Sequence, residues 1–97
     1  MSRPRRTRRD RNHAQVVDCL KRMGAHVIDC ADHGGVDLDL VVCWRGRCVP
    51  VEIKAPGCGE DLTTGEKEGI ARLAAVGVGA IVAVSVEDVV EAFEGGE

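Results

Sequence analysis

Residues 36–54, "VDLDLVVCWRGRCVPVEIK", hold two short apolar runs folded back on an Arg-Gly link, with charged residues planted inside both. The runs "VDLDLVVCW" and "RCVPVEIK" have strand composition, and Arg45-Gly46 between them is the two-residue connection of a β-hairpin. Strand side chains alternate, so Asp37 and Asp39 share one face of the first strand, and Glu52 and Lys54 share one face of the second. Asp39 and Glu52 are equally far from the turn and therefore become cross-strand neighbours. Asp37 is a rival for that place, because a shift of one pair in register would exchange the two. A charge buried in a sheet costs several kcal/mol unless it is paired or bound to a cation. Two converging carboxylates repel and take up a proton unless a cation lies between them. Oxygen donors of this kind suit a hard divalent ion such as Mg2+ or Mn2+, and the Ile53 carbonyl offers one more. Lys54 beside them can hold a phosphate or an attacking water. The competing reading is an exposed sheet face whose ion pairs contribute little.

The length, 97 residues, fits one domain with one core, and with Trp44 and Phe93 as its only aromatics that core must be built from Val, Ile, Leu and Ala. No apolar run is long enough to cross a bilayer, and no hydrophobic segment follows the basic N-terminus as a secretory signal requires. A cytoplasmic protein without a membrane partner is expected. Cys19, Cys30, Cys43, Cys48 and Cys58 form no Cys-x-x-Cys pair and have no zinc-finger spacing to histidines. They are expected to be reduced thiols acting as small buried hydrophobes.

The net charge of −3 conceals an asymmetry. Residues 1–11 carry Arg3, Arg5, Arg6, Arg8, Arg9 and Arg11 against one acid, Asp10, which leaves a body near −8. A basic, disordered arm is expected over 1–11, contacting DNA phosphates through guanidinium forks, ahead of a single domain over 12–97.

Along that domain, Val16, Val17, Leu20 and Met23 have helical spacing, Asp18 falls on the wet side, Gln15 borders the stripe, and Gly24 closes the helix. "AHVIDC" is a short strand, followed by the hairpin. Pro50 inside the second hairpin strand predicts an edge position or a bulge. Thr63 and Glu66 form a capping-box pattern opening a helix through Ala75, with Ile70, Leu73 and Ala74 inward. "GAIVAVS" is a strand expected to be covered on both faces, and Ser85 with Asp88 caps a last helix striped by Val86, Val89, Val90 and Phe93. The expected order is α-β-β-β-α-β-α.

From Asn12 to Phe93 the chain resembles the PD-(D/E)XK nuclease superfamily, and within it the small stand-alone VRR-NUC-like domains of phage and bacteria. The resemblance rests on Asp39-Leu40-Val41-Val42, the turn Arg45-Gly46-Arg47, Glu52-Ile53-Lys54, the "LTTGE" helix start and the closing "AIVAVSVEDVVEAF". It implies an α/β fold with a restriction-endonuclease-like core, a mixed β-sheet flanked by helices. It also implies a DNA endonuclease hydrolysing phosphodiester bonds with water activated by Mg2+ or Mn2+. Asp39, Glu52 and the Ile53 carbonyl would hold the metal, and Lys54 would position water and stabilise the transition state. Gln15 stands where the family often has a first-helix Glu, Leu38 where a Pro usually precedes the Asp, and Lys67 at a second-helix position often held by Gln. Branched or flapped DNA, including Holliday junctions, is the implied substrate, in a bacterial or phage-infected cell. A homodimer would set two sites on two strands. The alternatives are a non-catalytic nucleic-acid-binding module that keeps the fold, and a protein-interaction domain with a basic tail.

Overall fold

The computed structural model describes residues 7–30, 38–55, 57 and 62–95. Its elements are α1 (Thr7–Arg22), β1 (His26–Asp29), β2 (Leu40–Trp44), β3 (Arg47–Ile53), α2 (Thr64–Ala75), β4 (Ile81–Ala83) and α3 (Val86–Gly95). The α-β-β-β-α-β-α order expected from the sequence is the order observed. The four strands form one mixed sheet in the order β1-β2-β3-β4, antiparallel throughout except for the parallel β3–β4 pair.

α1 begins at Thr7, so residues 7–11, expected to be part of a disordered arm, are helical. The apolar stripe starts only at Val16, but arginine is a strong helix former and extends a helix beyond its buried face. Arg8, Arg9 and Arg11 thus belong to the start of α1, whereas Arg3, Arg5 and Arg6 lie outside the described residues. The helix ends in a Schellman motif: Gly24 N–H donates to Lys21 and Ala25 N–H to Leu20, with Gly24 at φ +99°. Val16 and Leu20 are buried, Val17 partly so, while Met23 of the expected stripe is exposed.

The hairpin turn has positive φ at both Arg45 (+54°) and Gly46 (+80°), which is the backbone of a type I′ turn. Such a turn makes Trp44 and Arg47 a hydrogen-bonded pair, and pairs then alternate down the ladder. Cys43↔Cys48 and Val41↔Pro50 are therefore non-hydrogen-bonded pairs on one face. This explains Pro50, which sits in an interior strand with no bulge. Its missing N–H would have pointed away from β2, and β4 pairs only with Val51–Ile53. It also corrects the expectation for two of the thiols. Cys43 and Cys48 face each other directly and form a disulfide, while Cys19 and Cys30 are free and half-buried. Cys58 lies outside the described residues.

α1 and α3 contact each other and cover one face of the sheet. There Leu20, Leu40, Val42, Val51, Ile53, Val89 and Phe93 form the core. β4 is a three-residue edge strand whose Ala83 is buried but whose Ile81 and Val82 are only half-buried, so it is not covered on both faces. α2 opens with the expected capping box, Thr63 Oγ1 accepting from Glu66 N–H and Glu66 Oε1 from Thr63 N–H. Its inward side differs from expectation: Gly69 is buried, Ile70 and Leu73 are half-buried, and Ala74 is exposed. α2 is thus less deeply packed than its apolar stripe suggested. Among the described residues no helix is long and apolar enough to cross a membrane.

Candidate functional site

The β1–β2 ladder that pairs Asp29 with Leu40 continues one step, where Cys30 N–H donates to the Asp39 carbonyl at 2.7 Å, and the β2–β3 ladder pairs Leu40 with Val51. This register sets Asp39 opposite Glu52, on the face that carries Cys43–Cys48 and Val41–Pro50. Asp37, the rival, lies outside the described residues. Asp39 is 7% exposed, Glu52 1% and Lys54 8%, so three charged side chains are buried at one end of the hairpin. The exposed-face reading does not hold for them.

Each is held differently. Asp39 Oδ2 accepts from Ile53 N–H at 2.9 Å, which ties the aspartate to the strand bearing Glu52. A residue's N–H and C=O leave a strand on the same edge, so the Ile53 carbonyl faces the Asp39 edge as well. Lys54 N–H continues the sheet by donating to Ala83 at 2.8 Å. The Lys54 ammonium is 2.9 Å from Glu66 Oε1 and 3.7 Å from Glu52 Oε2. Neither Glu52 oxygen has a hydrogen-bond partner among the described residues.

That last feature is costly, since buried polar groups are almost always hydrogen-bonded. Burial, then the neighbouring Glu66 carboxyl and the Asp39 charge, push Glu52 up to about 9, with Lys54 opposing. Glu66 goes the other way. Its own burial works against ionisation, yet Glu52, the Lys54 ammonium and the Thr63 N–H hold it down at about 2. Without a cation, burial and the acidic neighbours favour the protonated form of Glu52.

The donor set fits a hard divalent cation. The Asp39 and Glu52 carboxylates and the Ile53 carbonyl supply oxygens, and the two Glu52 oxygens have capacity that no donor among the described residues uses. No group of three or more His, Cys, Asp or Glu side chains among the described residues could hold a metal. Two carboxylates suffice for an ion such as Mg2+, which keeps several of its waters.

Gln15 is not part of this cluster. It is exposed and lies by the β4–α3 junction, in a depression shared with Asn12, Val84, Ser85 and Glu87. The α1 side chain that reaches the end of β3 is Asn12, whose Nδ2 donates to the Lys54 carbonyl at 2.7 Å and the Val84 carbonyl at 3.4 Å. Gln15 is one turn further on, about 4.5 Å along the helix axis. Lys67 is exposed, and the α2 residue at the site is its neighbour Glu66. Sequence reasoning found Glu66 as a cap but missed it as the partner of Lys54, and it missed Asn12 altogether.

Comparison with known proteins adds no relative: no family model matches the chain, nor does any curated protein or solved structure.

Proposed function

We propose that the chain is a divalent-metal-dependent nuclease with a restriction-endonuclease-like core of the PD-(D/E)XK type, hydrolysing phosphodiester bonds in DNA. One observation carries the reading: a fully buried Glu52 carboxyl group with no hydrogen-bond partner among the described residues, facing Asp39 and flanked by Lys54. An isolated structural ion pair would satisfy its oxygens, whereas a cation site leaves them open. The antiparallel β1-β2-β3 meander with a parallel β4 supports the fold side of the proposal.

Asp39 and Glu52, with the Ile53 carbonyl, would hold Mg2+ or Mn2+. The bound ion would supply Lewis-acid polarisation of the phosphate and a water of lowered pKa. Lys54 donates to a non-bridging phosphate oxygen, where negative charge grows in the transition state. The arginines of residues 1–11 would supply salt-sensitive contacts to the DNA backbone. A homodimer would place a second site on the opposing strand.

The second reading, a nucleic-acid-binding module without turnover, is favoured by the missing first-helix acid, since Gln15 is an amide and points to solvent. Labelled linear, flapped and four-way DNA incubated with and without Mn2+ separates the two. Cleavage that requires the ion supports the nuclease. Binding that persists in chelator, with no substrate cut, supports the module.

A further inference from the structure

Lys54 lies between two carboxylates, and it is bound to the one that the proposed cation does not need. Its ammonium is 2.9 Å from Glu66 Oε1 and 3.7 Å from Glu52 Oε2. An ammonium that turned fully to Glu52 would occupy the oxygens left open there and compete with a cation. What restrains it is the position of Glu66 Oε1, which also accepts from Thr63 N–H at 2.9 Å, while Glu66 N–H donates to Thr63 Oγ1 at 3.1 Å. These reciprocal bonds fix the glutamate in the first turn of α2. α2 itself buries only Gly69 fully, so this polar link, more than an apolar face, registers the helix against the site.

We infer that Glu66 is a positioning residue, resting on the nuclease reading above: it draws Lys54 off Glu52 and keeps Glu52 free for the divalent cation. The division of charge is then complete. Asp39 and Glu52 serve the cation, and Glu66 serves the ammonium. An ammonium has three N–H donors, and one is spent on Glu66, which leaves two for a phosphate oxygen and for water. Glu66 thus does two jobs, capping the start of the helix and aiming the lysine.

The test is a four-protein cycle, wild type, Glu66→Ala, Lys54→Ala and the double variant, titrated with Mn2+ by calorimetry without DNA. Glu66→Ala should weaken Mn2+ binding about tenfold, the lower end of the range for losing a group that orients a metal site. The double variant should recover that loss, because no ammonium remains to turn onto Glu52. Thr63→Ala, which weakens the cap but spares the Glu66–Lys54 pair, should change Mn2+ affinity less than about twofold, well short of that range. A merely structural role predicts the same loss with and without Lys54, and that result, or no loss at all in Glu66→Ala, overturns the inference. If wild type binds no Mn2+, the cation reading falls, and metal-free melting of the four proteins decides the pairing. Non-additive losses in Tm keep the Glu66–Lys54 coupling standing. Additive losses overturn it.

Discussion

On one face of the sheet, Leu40, Val42, Val51 and Ile53 pack against Val16 and Leu20 of α1 and Val89 and Phe93 of α3. On the other, Asp39, Glu52 and Lys54 are just as buried but carry ionisable groups, and the helix that meets them, α2, is held by an ion pair and has one buried residue. Both faces are built from the same two strands, because alternation sends neighbouring residues to opposite sides. The apolar face gains stability from every side chain it excludes from water. The polar face loses stability wherever a carboxylate is left unsatisfied. Core packing and the charged cluster are therefore separable side chain by side chain along β3: those of Val51 and Ile53 fill the core, and those of Glu52 and Lys54, between and beside them, do not.

The largest effects should come from setting the two faces against each other. Leu40→Ala on the packed face, where the residue is fully buried, should cost about 2–5 kcal/mol in denaturant unfolding. Glu52→Gln, equally buried, should leave metal-free stability at neutral pH unchanged or higher, since it removes a group that needs a proton to stay buried. A comparable loss in both variants would break the comparison.

Lys54→Ala should cut the cleavage rate about hundredfold, as for losing one donor to a developing oxyanion, with DNA affinity changing far less. Steady-state kinetics give the split between kcat and KM. A loss confined to KM would move Lys54 from the transition state to ground-state binding.

The pH dependence of stability sharpens the contrast further. Glu52 binds its proton more tightly in the fold, at about 9 against an ordinary 4.5. Its contribution is present in full below the unfolded value and is lost as pH rises through about 9. Glu66, held at about 2, has the opposite sign: its contribution is present above 4.5 and is lost as pH falls towards 2. Metal-free protein should thus be most stable in mildly acidic solution and decline towards pH 9. Glu52→Gln should flatten the alkaline decline alone, as melting across pH would reveal.

The smallest effect lies far from the site, at the hairpin tip. Arg45 has φ +54°, a left-handed conformation that favours glycine or asparagine. Its guanidinium also stacks 4.4 Å from the centre of the Trp44 ring. Arg45→Asn should raise stability by about 0.5 kcal/mol if backbone preference outweighs stacking, which is worth a similar amount at exposed sites. A fall in Tm would assign the greater weight to the stack.

Much of this was legible in the sequence because the signals are local. Turn chemistry at Arg45-Gly46 set the register, and the register set Asp39 opposite Glu52. Caps at Thr63–Glu66 and Ser85–Asp88 and the glycine stop after α1 mark helix ends within a residue or two. What escaped depends on distances across the fold. Nothing near Asn12 in the chain announces that its amide reaches Lys54, 42 residues away. Glu66 already had a sufficient local role, which hid its second one. The depth of α2 and the exposure of one side of β4 follow from how many layers the sheet acquires, and apolar runs alone do not count layers. The Cys43–Cys48 bond escaped because the five thiols were weighed by spacing and compartment, whereas the hairpin register brings two of them face to face.

The central claim, that Asp39 and Glu52 form a divalent-cation site, is tested most directly by thermal melting of wild type, Asp39→Ala and Glu52→Ala across a titration of Mg2+ and Mn2+. Binding to the folded state alone raises stability as the ion concentration passes Kd, by about 2.7 kcal/mol at a hundredfold excess over Kd. Wild type should show that rise in Tm, and both variants should be indifferent to the ion. A wild-type curve unmoved by millimolar Mg2+ and Mn2+, or a rise that survives in Glu52→Ala, would contradict it.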